Sequence, residues 1–162
     1  MTPLYLQQKL NEEVRKALAN LELKNPVSTE ADKPVQVFDQ HLPNKEKSKD
    51  RFPEHSLFPN VIIRMQQGEQ HEAEEQIGVR VIFVACVYDT NDDNQGYQDV
   101  MTIIEKLYQH FSKRPLVGDR YQIQYPIRWD YQDEDTEPYF FCSLDTTWAM
   151  PTVRNEQVEA LI

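Results

Sequence analysis

Six consecutive oxygen-rich residues, Asp89-Thr90-Asn91-Asp92-Asp93-Asn94, form the densest group of potential ligands in the chain. Oxygen donors at alternate positions are what a hard cation such as calcium takes from a loop, provided that Gly makes the sharp turn at the sixth position and a bidentate Glu closes the set at the twelfth. Those positions hold Asn94 and Val100, so the calcium pattern fails at both. The same residues fit a solvated strand-to-helix loop in which Asp92, Asp93 or Asn94 caps the helix that follows.

The carboxylates Asp130, Asp133, Glu134, Asp135 and Glu137 form a second acidic group. Paired carboxylates do acid/base work in glycosidases; these fall on a turn, where solvation explains them, and a small acidic carboxylate-dependent hydrolase is the alternative enzymatic reading. His41, His55, His71 and His110 are scattered, and His71-Glu72 lacks the second His one helical turn later that a zinc-protease helix carries. No serine sits in a Gly-x-Ser-x-Gly elbow. Gly68, Gly78, Gly96 and Gly118 are the only glycines, too few and too dispersed for a phosphate cradle. Cys86 and Cys142 lie in apolar, strand-like runs with no partner at ligand spacing, which predicts two buried free thiols. No catalytic residue, metal site or cofactor is expected.

Composition narrows the classes further. The 162 residues carry 17 Lys+Arg against 27 Asp+Glu, a formal net charge of −10. Unneutralised carboxylates repel the phosphate backbone, so tight nucleic-acid binding is disfavoured. There is no apolar run approaching the roughly 18 residues of a membrane span and no secretion signal, which predicts a protein made in a cytoplasm. A chain of this length supports one domain with a real core.

The elements follow from periodicity. Leu6, Leu10, Val14, Ala17, Leu18 and Leu21 share one helical face, predicting a helix over 2–23 with Thr2 as cap, Pro3 in the first turn and Asn25-Pro26 as stop. From 24 to 58 prolines and charges dominate, and only Val35-Gln36-Val37-Phe38 is strand-like; an extended arm or long loop is expected. Residues 61–65 suit a short strand, with Gln67-Gly68-Glu69 as a turn. Over 77–88 the odd positions are apolar throughout and the even ones become so at Ile82, Val84 and Cys86. That switch predicts a central strand covered by a helix on each side at its far end. Residues 95–113 repeat at helical spacing up to Pro115.

Strict alternation then places Tyr121, Ile123, Tyr125, Ile127, Trp129 and Tyr131 on one face of a strand in which Pro126 requires an edge position or a bulge. Residues 139–150 alternate again, completing a hairpin with an acidic tip. The aromatics are either the core face of the sheet or a stripe that the projecting hairpin buries against a neighbouring subunit. On the second reading the candidate contact residues are Tyr125, Trp129, Tyr131, Asp133, Glu134, Asp135 and Tyr139. The predicted fold is α+β over 1–151: a mostly antiparallel sheet of about four or five strands, two packed helices and a C-terminal hairpin, then a flexible tail over 152–162.

Several segments together resemble a known group of proteins. They are Leu57-Phe58-Pro59-Asn60-Val61-Ile62-Ile63-Arg64 with Gly68-Glu69; the strand from 79 to 88; Asp92-Asp93-Asn94-Gln95-Gly96-Tyr97-Gln98-Asp99-Val100-Met101; Pro126-Ile127-Arg128-Trp129; and Thr146-Thr147-Trp148-Ala149-Met150-Pro151. Over about 35–151 the pattern resembles small neck and tail proteins of long-tailed phages and prophages, most closely the tail terminator (tail completion) proteins; other neck components, head-closure proteins and adaptors, share small α+β folds. The resemblance implies a structural virion protein at the tail-neck junction. It would form a homo-oligomeric ring, usually a hexamer, that caps the tail tube protein and joins the head-completion or connector protein, with DNA passing through unbound. Like-charged subunits repel over a screening length of about 8 Å at physiological salt, so ring assembly is expected to strengthen as ionic strength rises.

Overall fold

The computed structural model describes residues 2–23, 33–43, 54–90, 94–132 and 136–152. Helix α1 (Pro3–Leu18) starts as its cap dictates: the Tyr5 N–H donates to Thr2 Oγ1 at 3.2 Å and Pro3 occupies the first turn. Leu6, Leu10, Val14 and Leu18 are its buried stripe. The helix stops short of the expected residue 23. The Leu21 N–H closes a turn on Leu18 O at 3.0 Å, and Leu23 enters a two-residue strand β1 (Glu22–Leu23) paired antiparallel with β2 (Lys33–Pro34). Leu21 fits the helical stripe, but Leu21 and Leu23 together also satisfy a period of two, and burial of Leu23 in the main core goes with the strand.

The rest forms one curled, mixed six-stranded sheet. Its strands are β3 (Gln36–Asp39), β4 (Asn60–Glu69), β5 (Ile77–Tyr88), β6 (Leu116–Val117), β7 (Tyr121–Tyr131) and β8 (Tyr139–Met150), in the order β3-β4-β5-β8-β7-β6. A single 3₁₀ turn (Glu54–Leu57) precedes β4, and helix α2 (Gln95–Lys113) connects β5 to β6. The expected sheet of four or five strands is thus extended at both edges. β3 adds in parallel to β4, and the two-residue β6 adds to β7. The C-terminal hairpin is present, but it does not project: β8 lies at the centre, between β5 and β7.

Two strand features differ from the expected ones for local reasons. Gln67, Gly68 and Glu69 are not a turn; they continue β4 opposite Arg80, Val79 and Gly78 respectively, after a register shift between Met65 and Gln67 that breaks the alternation. Pro126 sits where the β7–β8 register shifts between Gln124 and Arg128, the bulge its missing N–H calls for.

Both helices pack on one face of the sheet. Val79, Val81, Phe83, Ala85 and Val87 of β5 and Leu144, Trp148 and Met150 of β8 join the α1 stripe and Val100, Ile103, Ile104, Leu107 and Phe111 of α2 in one cluster. Phe111 lies between Phe83, stacked at 5.3 Å, and Trp148, edge-on at 5.3 Å. Burying such rings contributes about 1.5–3 kcal/mol each. Among the described residues no helix covers the far face of β5, where a second one was expected. Leu57 and Phe58, arriving from the 3₁₀ turn, cover Cys86 with Tyr88, Tyr139 and Phe141 instead. The hairpin tip with Asp133, Glu134 and Asp135, the capping candidates Asp92 and Asp93, segments 24–32 and 44–53 of the expected arm, and the tail from 153 lie outside the described residues.

Candidate functional site

Several exposed large apolar side chains lie on β6, β7 and the two helices. Trp129 is 58% exposed and Tyr125 68%, both on β7. Tyr97, on the first turns of α2, meets Tyr131 of β7 edge-to-face at 5.0 Å. Tyr108 lies eleven residues after Tyr97, three full helical turns, and so shares its side of α2. Tyr5 of α1 lies 6.0 Å from Tyr121 of β7, and Leu116 of β6 is exposed beside it. Exposed surface with this much Tyr and Trp has the composition of an interaction surface.

Register decides which candidate residues share that surface. Trp129 stands opposite Leu144 and Tyr131 opposite Cys142, which places both on the helix-bearing face of the sheet, while Tyr125 is exposed in the bulge. Tyr139 is odd-numbered on β8 and takes the other face, where its ring meets Phe58 at 5.3 Å and Tyr88 at 5.2 Å. The structure therefore separates Tyr139 from Trp129 and Tyr131. Tyr97, Tyr108 and Leu116 belong to the surface and were not among the expected contact residues. The signal for the two tyrosines was their eleven-residue spacing within a helix whose other apolar positions are buried or half-buried; no such signal marked Leu116.

On the opposite face, Leu42, Phe58, Ile62, Val84 and Phe141 line an apolar recess of about 480 Å³ with Cys86 at its floor. Further along, Arg80 holds Asp145 through two nitrogens, Nη2 to Oδ2 at 2.6 Å and Nε to Oδ1 at 3.0 Å, and the carboxylate raises the guanidinium's already high pKa. Asp145 is the cross-strand neighbour of Arg128.

The thiols are free and buried. Desolvation raises the pKa of both, Cys142 to about 11, and Cys142 Sγ lies 3.7 Å from Met101 Sδ. A thiol so protonated is a poor nucleophile. Asn94 occupies the α2 N-cap at φ 62° without a side-chain bond to the helix, so it does not cap in the expected way. Asp99, one turn in, accepts from Gln95 Nε2 at 2.7 Å. Among the described residues no three His, Cys, Asp or Glu side chains gather as a metal-binding group, and no helix is long and apolar enough to cross a membrane.

No protein-family model matches the chain, and no curated protein matches it. The class defined here is an α+β domain with a mixed six-stranded sheet, both helices on one face and an aromatic flank.

Proposed function

We propose that the protein is a structural component of a phage neck, a tail terminator whose subunits associate as a ring on the last layer of the tail tube, end its growth and present the surface that joins the head connector. The observation that carries the reading is the flank formed by Tyr97, Tyr108, Tyr125 and Trp129. It is aromatic and exposed, is joined from helix to strand by the Tyr97–Tyr131 contact, and is suited to a contact between subunits. The sequence resemblance over 35–151 supplies the kind of assembly. The partners are further copies of the chain, the tail tube protein and the head-completion protein, and the site of action is the tail-neck junction of the virion.

The test is electron microscopy of particles from a producing strain lacking this gene, beside a complemented control. Overlong, headless tail tubes support termination. Tails of normal length lying beside DNA-filled heads move the protein to the joining step, as a head-closure protein or adaptor. Intact infectious virions overturn the neck reading.

A further inference from the structure

The two edges of the sheet are treated differently. At the β3 edge, Arg15 of α1 reaches over and donates from Nη2 to Val37 O at 3.1 Å, sealing the strand with a side chain. At the other edge, β6 covers β7 only at Tyr121 and Gln122. From 125 to 130, β7 has no partner strand on its outer side among the described residues.

The ladder bonds fix which residues face that open edge. The Gln132 N–H donates to Phe141 O of β8, so even-numbered positions turn their backbone groups inward; the Ile123 N–H donates outward to Pro115 O, so odd-numbered ones face the edge. The bulge at Pro126 adds two residues to β7 and leaves that parity intact. Trp129 therefore offers its N–H and C=O to the edge. Its neighbours Arg128 and Asp130 are exposed on the helix-free face, across from Asp145 and Ser143.

We propose that this edge pairs antiparallel with the same edge of a second copy, about a two-fold axis at Trp129. Charge selects the register. With Trp129 opposite its symmetry mate, Arg128 of each copy faces Asp130 of the other in a non-hydrogen-bonded pair, the closer kind. A shift that centres the axis on Arg128 sets Arg128 against Arg128, and one that centres it on Asp130 sets Asp130 against Asp130; like charges directly opposed are destabilising. Of these three registers only the one centred on Trp129 is complementary, and it also gives the edge-facing groups of Trp129 reciprocal hydrogen bonds. The second copy is the occupant because Arg128-Trp129-Asp130 is complementary to itself when reversed. Such a contact is isologous, unlike the head-to-tail contact of a ring, and it uses the backbone edge at Trp129 where the ring reading uses the side chains of the flank, so the two are tested separately.

The experiment is sedimentation of the purified full chain across a dilution series. The wild type is expected to move between monomer and dimer. Arg128→Asp and Asp130→Arg each place like charges at two symmetric positions and are expected to weaken the dimer about tenfold, while the doubly exchanged variant regains affinity within about threefold of wild type. Trp129→Cys tests the register independently. Opposed residues of a hydrogen-bonded pair have Cα atoms about 5.5 Å apart, within disulfide range, so mild oxidation is expected to cross-link this variant and not Arg128→Cys. A chain that stays monomeric, single reversals without effect, a double exchange that restores nothing, or cross-linking of Arg128→Cys as readily as Trp129→Cys each overturns the pairing. A larger ring insensitive to the exchange overturns it too, while leaving the neck reading standing.

Discussion

Glu13 of α1 and His110 of α2 meet at 2.7 Å, Oε2 to Nε2, in the angle between the two helices. Both side chains are largely shielded, and His110 also lies edge-on to Phe111 at 5.4 Å. This contact and the leucine stripe hold α1 against α2 on the shared face of the sheet.

The Glu13 carboxyl sits below its ordinary value of 4.5: burial pushes it up, but hydrogen bonds from His110 and Lys16 more than offset that. A carboxyl depressed on folding contributes stability that is fully present above its unfolded value and is lost as pH falls through the folded one. Glu13→Gln is expected to cost about 1–3 kcal/mol at neutral pH. It should also flatten the loss of stability on acidification below about pH 4.5. Urea titrations at a series of pH values measure both; an unchanged acid slope would show that the pair contributes nothing to linkage.

Gln40, immediately after β3, adopts φ 64° and uses its side chain as a clasp. Its Oε1 accepts from Gln7 Nε2 at 2.9 Å and from the Met65 N–H at 2.6 Å, next to the β4 register shift. Gln40→Ala removes the acceptor of the Met65 N–H and leaves Gln7 Nε2 only its bond to Ile63 O at 3.0 Å, while keeping the left-handed backbone, for an expected loss of about 1–3 kcal/mol. Gln40→Gly loses the same acceptor but relieves about 1 kcal/mol of backbone strain, so it should be the milder variant. Equal midpoints in chemical denaturation would contradict the strain argument.

Thr146 links a buried relay between β8 and β5. Its hydroxyl donates to Val81 O at 2.8 Å and accepts from Trp148 Nε1 at 2.9 Å, with Trp148 wholly buried. Thr146→Val preserves volume and leaves the indole N–H without its acceptor, so a loss of about 1–3 kcal/mol is expected. Thr146→Ser keeps the relay and should lose less than about 1.5 kcal/mol, the cost of one methyl group. Thermal melts of the two variants separate the hydrogen bond from the packing.

The long elements were legible because each has one period over many residues: β5, α2, β7 and β8 have the bounds their alternation or helical spacing implies. What periodicity does not carry is pairing across distance. The parallel addition of β3 to β4 joins segments about twenty residues apart, and no local pattern marks it. The apolar even positions of β5 are real, but Cys86 is covered by Leu57 and Phe58 rather than by a helix, because a short apolar turn satisfies a small patch as well. At the candidate surface, Trp129 and Tyr131 were visible in the alternation of β7. The face taken by Tyr139 depends on how many residues turn the hairpin, which fixes register and not composition. The bulge at Pro126 was visible in the residue type; the open edge beside it was not, since it depends on β6 ending after two residues.

Gly96 opens α2 against the underside of β8, and the space there belongs to an aromatic ring. A Cβ built on Gly96 would meet Phe140 Cε2 at 2.5 Å, with Phe140 Cδ2 closer still and Asp89 Cβ at 3.1 Å. Glycine is required for this close approach and not for its backbone, since its φ is not positive. Gly96→Ala must therefore move the ring or the first turn of the helix, for an expected loss of about 1–3 kcal/mol despite alanine's better helix propensity. Phe140→Leu alone should cost about 1 kcal/mol or somewhat more, because the ring is only partly buried. Combined, the two substitutions are expected to be less damaging than their sum, since the smaller side chain vacates the volume the methyl group needs. Additive losses in a double-mutant cycle would mean that the methyl group is accommodated by moving the helix rather than the ring.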